Sequence, residues 1–363
     1  MNIGIDYPPR YRQTEIQTLR RWLQAGKCAW VAGLSGCGKS ALLAALMQFE
    51  GAALGAVWVN VQALEPPDAA SLFRAALLAL GEPMPTHGDW FSALEVAVER
   101  RLLRSPGLVC LLLDGYDRAA NSAVELHLRS LHDDFDRRLS YVTTARRAPA
   151  YASELDELFT EQTLWLGPLG VEDARWTARQ AAARMGFAWE AQALSTLISL
   201  TGGYPALITA VCEAVADGCE FTLEDLRIHP AVVRRVDAVW AQSPSAGELE
   251  RLQLDQIALL KPVEKAPAAW ETQALTDAEG DLLEYLMLHP HMTLTPAALC
   301  AAVWTEGGPP PQRLPEVLQR LMRKVEPDPA RPVYIHLQPD GSVRFTPAHQ
   351  IDRLAGEGAA AEG

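Results

Sequence analysis

The chain has 363 residues, of which 49% are hydrophobic and 21% charged. That is too apolar for a disordered chain and too long for one ordinary domain, so two or three domains are expected. The formal net charge of -13 confines any grip on nucleic-acid phosphates to a local basic patch, because that grip comes from Lys and Arg. No unbroken apolar run is long enough to cross a bilayer, and residues 1–15 lack the basic start and apolar core of a secretory leader. Six cysteines are scattered with no C-x-x-C pair. The reading is a cytoplasmic chain with reduced thiols and no membrane partner.

In chain order, residues 28–170 alternate short apolar runs with helical patterns. CAWVAG, AVWVNV, LVCLLLD, YVTT and TLWL read as strands. The segments between them place apolar residues three and four apart, the helical period. Alternation of this kind implies an α/β fold with a mostly parallel sheet covered on both faces. LVCLLL is apolar throughout, as a central parallel strand is.

The strongest local signal is residues 33–40, GLSGCGKS. It satisfies G-x-x-x-x-G-K-S/T between a predicted strand and a predicted helix, the context a phosphate loop needs. Gly33, Ser35, Gly36, Cys37, Gly38, Lys39, Ser40 and Ala41 are the nucleotide-binding candidates. Backbone N–H groups and the helix N-terminus surround phosphate, the lysine reaches the β- and γ-phosphates, and the serine hydroxyl goes to Mg²⁺. Asp114 ends the apolar LVCLLL strand and is the second metal candidate with Ser40, though an Asp there is also ordinary turn chemistry. Asp117 follows past a glycine and is a candidate to orient or deprotonate the attacking water; a turn residue is an equal reading. Arg146 follows YVTT and can sense the γ-phosphate or be a plain surface arginine. Lys39, Asp114, Asp117 and Arg146 form the candidate catalytic set.

Beyond residue 170 the strand signals stop and 171–240 reads as a helical lid. Pro205 in TGGYPAL starts a helix, a position proline favours, and it can also pack against a base. Residues 241–273 read as a connector with a helix inside, 274–350 as a further domain, and 351–363 as a flexible tail.

Five pieces of the first two-thirds together resemble the STAND class of AAA+-related P-loop ATPases, which includes NACHT proteins and the Orc-like ATPases. Arg12 and Glu15 in YRQTEIQTL resemble the box before the first strand. LLLDGYD resembles a NACHT-type Walker B, TTARR a sensor, and LWLGPLGVEDA the entry to the lid. Gly203, Tyr204 and Pro205 resemble the G-x-P motif. The resemblance implies ATP/ADP and Mg²⁺ as cofactors, with Arg12 and Pro205 added to the nucleotide site. It also implies homo-oligomerisation with ATP. Gly115 directly after Asp114, and Arg118 where a second acid often stands, depart from the pattern and imply slow, regulatory hydrolysis.

In 274–347, three helical patterns and a hairpin about Pro339, Asp340 and Gly341 read as a winged helix-turn-helix. Leu275, Thr276, Glu279, Val303, Trp304, Arg313, Arg320, Arg323, Lys324, Tyr334 and Ile335 carry a resemblance to the OmpR/PhoB-type effector domain. That resemblance makes Gln312, Arg313, Gln319, Arg320, Arg323 and Lys324 the candidate DNA-binding set, on a helix entering the major groove. A solvated helix face that binds protein is the competing reading. Basic and acidic residues number 16 against 19 in 1–170, 9 against 13 in 171–270, and 7 against 13 in 271–363. Residues 312–324 alone invert the balance, with four basic residues and one acid.

The sequence therefore reads as an ATP-binding and -hydrolysing signalling switch. Its nucleotide state would control assembly and winged-helix contact with DNA, as in a transcriptional or antiphage-defence regulator. The alternatives are an ATP-driven scaffold recruiting a separately encoded effector protein, and an Orc- or transposition-type loader on DNA.

Overall fold

A computed structural model describes residues 5–83, 89–104, 107–149, 156–159, 161–260, 275–289, 292–304, 313–326, 332, 334–338 and 341–345. The chain divides into two compact units. One comprises Met1–Gln180, Gly202–Ile208 and Gly247–Leu254; the other comprises Ala181–Thr201, Thr209–Ala246 and Asp255–Gly363.

The first unit is built on the predicted strands: β1 (Ala29–Ala32), β2 (Ala56–Asn60), β3 (Val109–Asp114), β4 (Leu139–Ala145) and β5 (Thr163–Trp165). They form one sheet in the order β2-β3-β4-β1-β5, and every neighbouring pair is parallel. All residues of β3 and β4 are buried, which is why both runs are largely apolar, with Asp114 at the end of β3 and the hydroxyls of Ser140, Tyr141, Thr143 and Thr144 in β4 as the polar exceptions. α1 (Gln13–Gln24) precedes the first strand, and the intervening helices are α2 (Lys39–Glu50), α3 (Ala69–Leu80), α4 (Trp90–Arg104), α5 (Ser122–Asp134) and the short α6 (Asp156–Phe159). Local capping fixes two of their starts. Asp68 accepts from the Ser71 N–H at 2.8 Å, and Asn121 from that of Val124 at 3.1 Å. β1 runs into α2 through the glycine-rich loop, so that loop lies at the carboxyl end of the sheet, where open parallel sheets bind ligands.

Two stretches read from sequence as lid and connector belong to this unit. Gly203, in the first, packs against Leu169, whose N–H donates to Gly203 O at 2.9 Å. The second is α12, Ala246–Arg251, whose Arg251 guanidinium lies 4.7 Å over the Trp165 ring of β5. A cation over an aromatic face holds this short part of the stretch, Gly247–Leu254, to the sheet.

The second unit holds the helices after α7 (Val171–Arg184): α8 (Ala191–Thr201), most of α9 (Pro205–Ala216), α10 (Leu223–Ile228) and α11 (Pro230–Trp240). It also holds the predicted three helices and hairpin. These are α13 (Asp277–Leu288), α14 (Pro296–Val303), α15 (Leu314–Val325), β7 (Ile335–Leu337) and β8 (Val343–Phe345). A two-residue strand β6 (Thr293–Leu294), not foreseen from the sequence, pairs antiparallel with β8 and makes the hairpin three-stranded. Two residues give no alternation to read, which hides such a strand. Leu314, Val317, Leu318, Leu321, Met322 and Val325 are buried along one stripe of α15. Each such side chain contributes on the order of 1.5–3 kcal/mol. Thr295 caps α14 as expected, accepting from the Ala298 N–H at 3.3 Å, with Pro296 at the first position. Buried Glu326 ties the end of α15 to β7 by accepting the N–H groups of Tyr334 and Ile335 at 2.9 and 2.6 Å.

Candidate nucleotide site and winged helix

The loop from Gly33 to Ser40 joins β1 to α2 as the motif requires. Gly36 has φ +88°, and a Cβ there would lie 2.5 Å from the Ala206 Cβ, so only glycine fits. Lys39 Nζ donates to Gly33 O at 2.5 Å and Leu34 O at 3.1 Å. The next three carbonyls are each held from outside the loop. Tyr204 Oη donates to Ser35 O at 2.7 Å, Ala206 N–H to Gly36 O at 3.1 Å, and Arg12 Nη2 to Cys37 O at 3.0 Å.

Arg12 is 2% exposed. Besides Cys37 O, its guanidinium donates to Gly167 O at 2.9 Å, Pro168 O at 3.0 Å and Glu15 Oε1 at 2.8 Å. Its own N–H donates to Asp173 Oδ2 at 2.9 Å. Burial pushes the Asp173 carboxyl above its ordinary range, against the lowering effect of that N–H and of the Arg12 charge. The structure thus places Arg12 behind the loop, spent on protein carbonyls. Pro205 lies against the loop as well, its ring carbon 3.4 Å from where a Gly38 Cβ would be.

Asp114 is buried at the end of β3, and its Oδ1 accepts from Thr144 Oγ1 at 2.9 Å. The same hydroxyl accepts the Gly115 N–H at 2.8 Å. Asp114 and Ser40 line one cavity of about 560 Å³, together with Tyr7, Met47, Trp58 and Asn60. Among the described residues no three His, Cys, Asp or Glu come together as a metal cluster. A phosphate-loop magnesium takes one carboxylate and one hydroxyl, with phosphate and water oxygens for the rest. Ser40 and Asp114 fit that requirement by chemistry and by their shared cavity.

Asp117 and Arg146, assigned separately from sequence, form an ion pair, with Nε to Oδ2 at 2.9 Å. Arg146 follows β4, which lies between β3 and β1, so it leaves the sheet between Asp114's strand and the phosphate loop's. Gly33 N–H donates to Ala145 O at 3.2 Å, which brings the two loops side by side. Gly115 has φ +77°, and a Cβ there would collide with Gln62 Cγ. No side chain fits directly after Asp114, which gives the sequence departure a steric cause. Arg118 donates to Gln62 O, so it braces the same turn.

Two participants are not marked as site residues by the sequence. Thr144 stands in the TTARR segment two residues before the arginine, and its role comes from register, since Leu113 pairs with Thr143 and sets Asp114 beside Thr144. Tyr204 is the middle of a G-x-P triplet, and nothing in the sequence shows that its hydroxyl reaches a loop 169 residues away.

In the second unit, α15 carries Gln319, Arg320 and Arg323 exposed beside its buried stripe, and Arg313 is exposed at its N-cap. Gln312 lies outside the described residues. Two of the predicted contact residues are engaged within the domain. Lys324 Nζ donates to Glu279 Oε2 at 2.6 Å, and Arg320 Nε lies 3.5 Å from Glu279 Oε1. Glu279 is fully buried on α13 and also accepts the Thr276 N–H at 2.9 Å, half of a capping box. Burial raises its carboxyl, but Lys324 and Thr276 more than offset this and hold it below its ordinary range. On the wing strand β8, Arg344 pairs with Asp237 of α11 at 2.8 Å. Burial pushes the Asp237 carboxyl up to about 6, with Arg344 opposing.

Comparison with solved structures finds Cdc6p from Pyrobaculum aerophilum, at 13% identity over 98% of this chain and 95% of that one, TM-score 0.44. The Orc2 protein of Aeropyrum pernix matches at 14%, 98% and 95%, TM-score 0.45. The RuvB Holliday junction branch migration motor of Thermotoga maritima matches at 17%, 94% and 93%, TM-score 0.41. At these scores the fold rests on the strand order itself. No helix among the described residues is long and apolar enough to cross a membrane. No curated protein matches the chain. Residues 271–341 match the family model described as "Transcriptional regulatory protein, C terminal", so the second unit ends in a winged helix of the OmpR/PhoB type, joined in one chain to a parallel-sheet P-loop domain.

Proposed function

We propose that the protein is an ATP-binding, slowly hydrolysing switch of STAND type, whose nucleotide state controls assembly and winged-helix contact with DNA. The observation that carries this reading is the arrangement at the carboxyl end of the sheet. A phosphate loop, Ser40 and Asp114 on one cavity, and the Asp117–Arg146 pair lie on successive strands. In this reading the loop N–H groups and Lys39 bind the β- and γ-phosphates. Ser40 and Asp114 hold Mg²⁺, which offsets phosphate charge when bound. Asp117 orients the attacking water and Arg146 meets the γ-phosphate. Hydrolysis is slow because Gly115 excludes an acid directly after Asp114 and because Asp117 is charge-paired. DNA contact comes from the exposed face of α15.

A second reading, a scaffold whose winged helix recruits a separate effector protein, is favoured by one observation. Glu279 occupies two basic side chains of the candidate DNA-binding set, Arg320 and Lys324, and Asp237 pairs with Arg344 of the wing. Size-exclusion with light scattering on the full chain separates the two. The switch predicts assembly with a non-hydrolysable ATP analogue, a smaller species with ADP, and DNA retained by the assembled form. A monomer under every condition sinks the switch. Assembly that retains no DNA at low salt leaves the scaffold.

A further inference from the structure

We propose that Tyr204 is a positioning residue for the phosphate site: with Arg12 it fixes the peptide planes of the phosphate loop from behind, so that the turn at Gly202–Ile208 sets phosphate affinity. This rests on the nucleotide reading above and adds a residue to it.

The argument starts from the planar peptide. In a trans peptide the C=O of one residue and the N–H of the next point in opposite directions. Holding a carbonyl on one side therefore aims the following N–H to the other. Tyr204 Oη holds Ser35 O at 2.7 Å, which aims the Gly36 N–H away from Tyr204. Arg12 Nη2 holds Cys37 O at 3.0 Å, which aims the Gly38 N–H away from Arg12. Between them the Ala206 N–H holds Gly36 O, and the Cys37 N–H closes a turn onto Leu34 O at 3.3 Å. An anion nest is a run of N–H groups turned to one side, and these outside donors turn them.

Glycines allow a loop many conformations at an entropic cost. Three donors from outside the motif reduce that freedom before any anion arrives. Of these, Tyr204 sits in the turn between α8 and α9, and Ala206 in the first turn of α9. The hydroxyl is the informative atom. The Tyr204 ring is fully buried and a phenylalanine keeps its packing, so Tyr204→Phe removes the bond and leaves the volume.

The test is ligand discrimination by the full chain, measured by calorimetric titration with ADP, AMP and inorganic tripolyphosphate. The loop grips the β-phosphate, which AMP lacks. Loss of one net hydrogen bond predicts that Tyr204→Phe weakens ADP and tripolyphosphate by about 3- to 10-fold, while AMP stays within about twofold. Phosphorus NMR of bound ADP should show the β-phosphate resonance displaced and the α-phosphate resonance in place. Arg12→Lys, which keeps the charge but not the fork of donors, should give the same signature, and thermal melts of the free variants report whether each is folded. An unchanged ADP affinity in a folded Tyr204→Phe overturns the proposal, as does equal weakening of ADP and AMP. Lys39→Ala serves as the reference. If the wild type binds ADP and Lys39→Ala does not, the nucleotide reading stands whatever Tyr204→Phe does. If the wild type binds no ADP, that reading fails and takes this one with it.

Discussion

The phosphate loop and the α15 face both present a sequence motif, yet their surroundings treat the two motifs in opposite ways. Around the loop, neighbours take up backbone carbonyls: Tyr204, Ala206 and Arg12 each occupy one. Around α15, neighbours take up the motif's own charges: Glu279 holds Lys324 and lies beside Arg320. In the first case packing supports the proposed chemistry, because a carbonyl held on one side aims the following N–H group to the other. In the second it consumes the chemistry, because a charge already paired adds little attraction for phosphate. A motif whose work is done by backbone survives folding better than one whose work is done by counted charges.

The largest effect should come from breaking the first region. Lys39→Ala removes the one cation inside the loop, and loss of a charge-assisted hydrogen bond to phosphate costs up to about 3 kcal/mol. That predicts on the order of 100-fold weaker ADP binding, with a cooperative thermal melt showing that the free variant still folds without the lysine's bonds to Gly33 O and Leu34 O. Titration of both proteins checks this; near-equal affinities would remove the nucleotide from the account. Next in size is Glu279→Ala. It deletes a capping-box partner and a buried charge with two cations beside it, at a cost of about 2–3 kcal/mol. Denaturation of the full chain should show the second unit unfolding earlier while ADP affinity holds. Equal stability would mean that Lys324 and Arg320 find water at no loss.

Much of this is legible in the amino-acid sequence. The strands of the first unit are readable because β-branched and apolar runs stand out between helical patterns, most clearly the fully buried β3, and GLSGCGKS is readable because its glycines and lysine serve one geometry. The helices and hairpin of the winged helix followed from period and turn chemistry. Less legible were features that depend on distant residues meeting. The sequence places Asp117 and Arg146 in one site but does not pair them. It places Arg12 in a nucleotide-binding box, but its burial beneath the loop needs residues 167, 168 and 173. The turn at 202–208 reads as the middle of a helical lid, and only its bonds to Ser35 and Gly36 move it to the sheet. Periodicity reports which face of an element is apolar; it does not report which partner a lone polar side chain finds.

The α15 face separates further by substitution. Arg313 and Arg323 are exposed, and neither has a partner among the described residues. Each replaced by alanine should weaken DNA binding several-fold at low salt and lower the salt slope by about 1, the mark of one lost phosphate contact. Glu279→Gln keeps an oxygen for the Thr276 N–H but discharges the anchor. It should free Lys324 and Arg320 and tighten DNA binding, the reverse of what an ordinary destabilising change does. If all these variants bind DNA alike, the face is not the contact and the protein-recruiting reading gains.

The smallest effect concerns the wing. Asp237 has its carboxyl raised to about 6 by burial, with Arg344 opposing. A carboxyl raised on folding binds its proton more tightly in the folded state, so the stability it contributes is full below the unfolded value near 3.8. That contribution is lost as pH rises through about 6. Asp237→Asn mimics the protonated form at every pH. The two proteins should melt together near pH 4, and the asparagine variant should then gain on the wild type up to pH 7. The side chain is about a quarter exposed, so solvent screens part of the effect, and a gain of about 2 °C is expected, equivalent to about 1 kcal/mol or less. A variant that instead loses ground as pH rises would show the Arg344 pair outweighing the burial cost, and the wing would then be held to α11 by charge.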